Sequence, residues 1–491
     1  MLHRAIGAGL GAIPVPLLAV VFLTGCATTP FDPHAEVTVA QAVGLEGALT
    51  FRTEGGPVDE PATVGDTLTL ADSVGLAVVT SPDLQAALAR VRIAMADADQ
   101  ARLLPNPVLS VVLRWGQGPP QIEASLAQDL IQAFQIPRRA SAADHRLRES
   151  AADAVTVALD VAAEVQERYI TAQALDTLIP LLQERRALLG SLTDTARARL
   201  EAGEGTRTEV TILDAQRVEL EVEIAAVELQ LREARLRLAR VIGEPSSAAA
   251  WTLEPWSSPA FGSDPEAVWV EAALVHRPEV QAVLWRLAAL GDDFALARLL
   301  PWEGAGAGVE AERDGEWALG PSLTTPIPTF DTGQARRARL TAEQVEARHD
   351  LVLAKRRVVE EVRVAYQTLA AGRANLDRIR NKLIPLQLQR RQVTEDVYLA
   401  ERDITPLLLA EQDLRKAQAT AIDAERQSAV ALIRLQRAVG GPGIARTIGD
   451  AAREADPTTP PVRPDAPDSP HATTDGARPT AAPTDPSRSP R

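Results

Sequence analysis

Long stretches of helical periodicity run through this chain, and two short stretches of strict alternation break them. Leu84, Leu88, Val91, Met95 and Ala98 recur at helical spacing until Pro105-Asn106-Pro107 stops the helix. Period two then takes over. Leu109, Val111, Leu113 and Trp115 fall on one face, and Ser110, Val112 and Arg114 fall on the other. Residues Gly116–Pro120 read as a turn, after which Ile122, Ala124 and Leu126 alternate with Glu123, Ser125 and Ala127. The pattern returns downstream. Ala305, Ala307, Val309 and Ala311 alternate with Gly304, Gly306, Gly308, Glu310 and Glu312. Asp314-Gly315 then signals a turn, and Trp317, Leu319 and Leu323 alternate with Glu316, Ala318 and Ser322. Each stretch predicts a hairpin of strands about ten residues long with one apolar face, which suits a membrane hairpin and a soluble one alike.

Helices fill the rest. Leu68–Val79 and Ser81–Leu104 predict a short helix and a longer one, and Glu266–Leu300 repeats them. Pro137 is expected to open a helix reaching Ala202, kinked at Pro180; about 65 residues would span roughly 100 Å. Gly203-Glu204-Gly205-Thr206 makes a turn. The return helix carries a heptad stripe of Val210, Leu213, Arg217, Leu220, Ile224, Val227, Leu231, Ala234, Leu238 and Val241, a coiled-coil seam closed by Gly243 and Pro245. In the second half, Pro326-Ile327-Pro328 precedes a helix to about Leu399, interrupted at Pro385. Its turn is Glu401-Arg402-Asp403-Ile404. The return seam is Leu407, Ala410, Leu414, Ala417, Ala421, Ala424, Ser428, Ala431, Leu435 and Ala438, all apolar or small, so the helices can approach more closely there.

The two halves are copies. Ser81–Pro105 and Arg277–Pro301 agree at 11 of 25 ungapped positions, and Tyr169/Tyr366, Gly243/Gly440 and Pro245/Pro442 hold one spacing. Two structural repeats follow, 66–246 and 262–443, joined by a linker at 247–261. Residues 1–26 have the layout of a secretory signal ending in Leu23-Thr24-Gly25-Cys26, which resembles the bacterial lipobox, with 1–25 as the signal peptide cut before the cysteine. That resemblance makes Cys26, the only cysteine, the acylated first residue of the mature chain, and Ala27 after it fits the outer membrane. Residues 26–65 read as an extended linker with a short strand near Leu49–Arg52. Residues 444–491, rich in Pro, Asp, Thr, Ser and Ala, read as a disordered tail.

A formal charge of -15 disfavours a nucleic-acid partner, and 3% aromatics favours long helices over a large globular core. Six His and two Met offer little to a soft metal, so no metal or cofactor is expected. No nucleophile–base pair, phosphate loop or metal-ligand spacing gives catalysis a home, so the chain is not expected to be an enzyme. Four strands cannot close a barrel, and open sheet edges cannot face lipid. Copies must therefore pool their strands into a membrane β-barrel continued by a helical tube, a mainly α architecture with a small β portion.

The duplicated helix–hairpin–long-helix layout, the Pro-rich starts near Pro137 and Pro328, and the stretches Gly203–Gln216 and Gly440–Pro442 together resemble the TolC-like outer-membrane efflux family. The resemblance covers about 66–443. It implies a homotrimeric exit duct in the outer membrane, with a periplasmic adaptor and an inner-membrane transporter as partners, serving a tripartite efflux pump or type I secretion system. It implies periplasmic tips at Gly203, Glu204, Gly205, Thr206 and Arg207 and at Glu401, Arg402, Asp403 and Ile404, the second lacking the family's Gly. Asp214 and Glu411 match positions where the family narrows its entrance with acidic residues; three copies would make a ring of like charge. The competing reading is a non-conducting coiled-coil lipoprotein that tethers envelope layers.

Overall fold

The structure, a computed structural model, describes residues 38–39, 41–44, 51–52, 67–116, 120–243, 249, 251–256, 264–314, 316–401 and 405–455. The first half runs β1 (Thr67–Leu68), α1 (Leu70–Thr80), α2 (Pro82–Arg102), β2 (Val108–Arg114), β3 (Gln121–Asp129), α3 (Leu130–Glu201) and α4 (Arg207–Val241). The second half runs β4 (Thr252–Leu253), α5 (Glu266–His276), α6 (Pro278–Leu296), β5 (Gly306–Asp314), β6 (Glu316–Thr324), α7 (Gln334–Arg378), α8 (Ile384–Glu401) and α9 (Thr405–Ala438), then α10 (Pro442–Ala455).

The two hairpins form one antiparallel sheet in the order β2-β3-β5-β6, with β2 and β6 as open edges. Its register sorts the side chains by face. Leu109, Leu126, Val309 and Pro321 make one cross-strand row, and Val111, Ala124, Ala311 and Leu319 the next. One residue along each strand the rows become Ser110, Ser125, Glu310 and Gly320, then Val112, Glu123, Glu312 and Ala318. One face is therefore aliphatic and the other carries the carboxylates, as alternation demands of a sheet between two solvents. Gly308 permits the β3–β5 contact, since a Cβ there would lie 2.4 Å from the Leu126 carbonyl oxygen.

Each hairpin leads directly into a long helix. Asp129 ends β3 and caps α3, accepting from the Gln132 amide at 2.9 Å. The helix thus starts seven residues before Pro137, which does not open it. Helix α3 runs 72 residues, about 110 Å, straight through Pro137 and Pro180. Each proline removes one backbone bond, and packing against α2, α4 and α6 holds the helix regardless. The second outgoing helix does break, earlier than at Pro385. A π-turn at Ile379–Leu383 joins α7 to α8. The Pro385 ring conflicts with the carbonyl four residues back, and the wider turn just ahead of it relieves that conflict.

The four long segments lie side by side as α4-α3-α9-α7/α8. Both predicted seams are where the packing is. Leu213, Leu220, Ile224, Val227, Leu231, Ala234 and Leu238 are buried on α4, as are all the α9 seam residues except the half-buried Ser428. At α7 against α9 the backbones come close. A Cβ on Gly372 would lie 2.9 Å from Ser428 Oγ.

Smaller helices and the ends of the chain thicken the middle of the rod. Leu68, Val78, Leu88, Tyr169, Leu238 and Trp251 share one core, and Trp269, Val280, Val362, Leu369, Leu435 and Ile448 share another. The repeated tyrosines do matching work. Tyr169 donates to the Leu68 carbonyl at 2.9 Å, and Tyr366 to the Asp264 carbonyl at 3.0 Å. Burial pushes the Tyr169 phenol up to about 12, so it remains a neutral donor. Three sequence boundaries need correction. The linker at 247–261 contributes β4, which pairs in parallel with β1. The segment at 26–65 buries Val39 and Val43 in the first core, and residues 51–52 form no strand. The tail expected from 444 begins with α10, whose Ala445 and Ile448 are buried.

The close α7–α9 approach yields a test. Gly372→Val should destabilise the protein by about 1–3 kcal/mol, the usual cost of overpacking, read as a lowered thermal midpoint. Adding Ser428→Gly should recover most of the loss.

Candidate functional site

Cys26, Arg402, Asp403 and Ile404 lie outside the described residues. The first helical tip is fully described. Gly203 adopts φ 76°, which a side chain rarely allows. Gly205 is needed for space, because a Cβ there would lie 2.9 Å from the Leu200 amide nitrogen. Thr206 caps α4 by accepting from the Glu209 amide at 3.2 Å. Arg199 donates to Glu209 at 3.3 Å and to the Glu204 carbonyl at 3.4 Å, which ties the turn across its base. Glu204 and Arg207 are exposed. The tip is therefore a stiff loop with mixed charge at its end. On the second hairpin, Glu401 ends α8 and Thr405 opens α9.

The two candidate gate carboxylates sit just above these tips, each against arginine. Asp214 on α4 accepts from Arg197 on α3 at 2.7 Å, and both side chains are partly exposed. Glu411 on α9 is 6% exposed. It pairs with Arg391 on α8, and Arg415 on its own helix stands 3.8 Å away. Arg415 also reaches Glu184 on α3 at 3.5 Å, linking the two hairpins. Leu408 and Tyr398 pack with Leu182, Leu189, Leu213 and Leu220, so the lower ends share one apolar contact. Asp214 keeps carboxylate surface for water, whereas Glu411 is largely enclosed.

The arginine partners were missed in the sequence, although a signal was there. Residues within about three turns of helix on either side of a helical turn can meet across the hairpin. Arg197 and Asp214 flank the turn at 203–206, and Arg391 and Glu411 flank 401.

At the opposite end, the carboxylate face of the sheet holds Glu123, Glu310 and Glu312, with Arg114 paired to Glu123. The aliphatic face ends in Trp317, with the Arg313 guanidinium 5.9 Å from its ring. Trp115 is exposed beyond β2. Among the described residues no helix is long and apolar enough to cross a membrane. Among them, too, no group of three or more His, Cys, Asp or Glu could hold a metal ion.

Comparison with known proteins agrees with this geometry. Residues 74–244 match the family model described as outer membrane efflux protein. The chain is 25% identical over 333 residues to the outer membrane efflux protein BepC of Brucella suis, covering 64% of this chain and 71% of that one. It is 27% identical over 413 residues to the pyoverdine export outer membrane protein OpmQ of Pseudomonas putida, covering 74% and 83%. The crystal structure of the outer membrane protein VceC from Vibrio cholerae shares the fold, with a TM-score of 0.62 at 17% identity over 76% of this chain and 96% of that one. A two-faced sheet feeding paired helices thus makes the chain similar to outer membrane efflux proteins, in sequence over residues 74–244 and in architecture across most of its length.

Proposed function

We propose that three copies of this chain assemble into the outer-membrane exit duct of a tripartite efflux pump or type I secretion system. One observation carries the reading. The four-stranded sheet separates an aliphatic face from a carboxylate face and leaves β2 and β6 open. Three copies supply twelve strands, enough to leave a water channel, and joining each β6 to the next β2 removes every edge. Apolar residues exposed on α4 support the same assembly. Val222, Leu229 and Leu236 form a heptad stripe with no partner within the protomer among the described residues. Helices about 110 Å long carry the path far into the periplasm.

In this reading the duct is passive, with no catalytic step, and transport energy comes from an inner-membrane transporter through a periplasmic adaptor. The stiff tip at Gly203–Arg207, and its partner around Glu401–Ile404, meet that adaptor. Asp214 faces the narrow entrance, and Glu411 mainly ties α8 to α9. Cys26 carries acyl chains that add an anchor beside the barrel.

Planar-bilayer recording of the purified protein should show stable pores, whereas a non-conducting assembly would favour the tether reading. The same preparation should carry acyl label that Cys26→Ser removes. Asp214→Lys should lower the cation-to-anion permeability ratio, on the order of severalfold, because it inverts a charge repeated around the pore. Unchanged selectivity would remove Asp214 from the entrance. Gly205→Val should disrupt the tip and abolish adaptor pull-down, while the outer-membrane assembly itself persists.

A further inference from the structure

The helix-side end of the sheet carries a patch that the export path does not use. Three apolar side chains stand in the open there. Phe330 is 93% exposed, Ile327 79% and Trp302 45%. Arginines surround them. Arg298 lies 5.4 Å over the Phe294 ring and is exposed. Arg336 and Arg339 follow in the first turns of α7. The pieces belong to one surface, because Gly333 packs against the Ala297 carbonyl and the Pro301 ring; a Cβ there would lie 3.0 and 3.2 Å from them.

Carboxylates stand nearby, but they leave guanidinium donors free. Asp331 stands 3.8 Å from Arg336, and Glu343 accepts from Arg339 at 2.7 Å, yet both guanidiniums remain more than half exposed with donors to spare. Asp129 accepts from the Gln132 and Gly304 amides. Glu303 is exposed and accepts a long hydrogen bond from Gln132 at 3.4 Å. Arg298 has no carboxylate within ion-pair distance among the described residues. The local charge is mixed, and what sets the patch apart is guanidinium donors left free beside exposed apolar rings.

We infer that this patch docks onto anionic phospholipid headgroups of the periplasm-facing leaflet. The inference rests on the sheet lying in the outer membrane, and three points on the surface support it. The patch is continuous with the aliphatic face of the strands, so its height is the headgroup level, where aromatic rings settle. Side chains of an α-helix lean toward its N-terminus, and α7 begins at the membrane end, so Arg336, which reaches back toward Asp331, leans toward the lipid. Guanidinium groups bind phosphate oxygens in a bidentate manner. Each arginine near an anionic surface strengthens binding roughly fivefold, so the three together give on the order of a hundredfold.

Native mass spectrometry of the purified full-length assembly, titrated with phosphatidylglycerol or phosphatidylethanolamine, tests this. Phosphatidylglycerol should be retained at least about tenfold more than phosphatidylethanolamine. The triple variant Arg298→Gln, Arg336→Gln, Arg339→Gln should lose that preference at unchanged assembly mass. Equal retention of both lipids by the wild type, or a preference that survives in the variant, overturns the proposal. If the triple variant does not assemble, the wild type still decides. Raising salt from about 0.1 M to about 1 M shortens screening from about 10 Å to about 3 Å and should erase the preference; persistence overturns the proposal. A Phe330→Ser variant that dissociates the assembly, with no lipid preference in the wild type, would assign the patch to a second copy. Protease protection of residues 108–129 and 306–324 in vesicles reports the membrane reading separately.

Discussion

A strand edge cannot be left open in lipid, because each unpaired backbone group there costs several kcal/mol with no water to satisfy it. Every large feature of this chain answers to that constraint. Its hairpins make a sheet of four strands with two free edges, too few to close. The aliphatic face forbids leaving the sheet in water, and Glu123, Glu310 and Glu312 on the other face forbid surrounding it with lipid. The proposed pooling of strands between chains meets both demands. In that assembly the long helices would inherit the ring, since each hairpin passes into its helix without a flexible joint. Asp129 closes β3 and caps α3 in one residue.

Duplication gives the protomer its regularity, and divergence between the copies gives the two halves different mechanics. Tyr169 and Tyr366 hold equivalent strands of backbone. Ser81 caps α2, whereas its counterpart Arg277 is buried and bonds the Ala438 carbonyl, Glu279 and Glu361. Helix α3 is continuous for 72 residues, while its counterpart breaks at a π-turn. The α4 seam is mostly leucine, isoleucine and valine, whereas the α9 seam is mostly alanine between Leu407, Leu414 and Leu435, with Ser428 against Gly372 of α7. The lower ends differ in charge as well, with Asp214 partly open to water and Glu411 enclosed by arginines.

Much of this was legible in the sequence because it rests on periodicity. Alternation placed the strands correctly, and the heptad stripes placed the seams. What failed was local. Pro137 suggested a helix start because proline favours a first turn, but the cap at Asp129 had already begun the helix. Pro385 marked a break that geometry moves just upstream of it. Strand β4 is two residues long, below any pattern, and the polar composition after residue 456 masked the amphipathic α10. The candidate gate was half visible. Its carboxylates could be placed by repeat register, but their arginine partners appear only once residues are paired across each helical turn.

The central claim concerns the seam between β6 of one copy and β2 of the next. Leu319 on β6 shares the aliphatic side of the sheet with Leu109, Val111 and Leu113 on β2 and, in the same alternation, Trp115 just beyond it; within one chain β6 and β2 lie on opposite edges. Closure needs a stagger between copies, so Leu319→Cys is combined in turn with cysteine at each of these four positions. Oxidation in outer-membrane fractions should give a covalent species of three chains for at least one pair in the series. Only uncrosslinked single chains, under conditions where both thiols are otherwise reactive, would contradict the shared barrel.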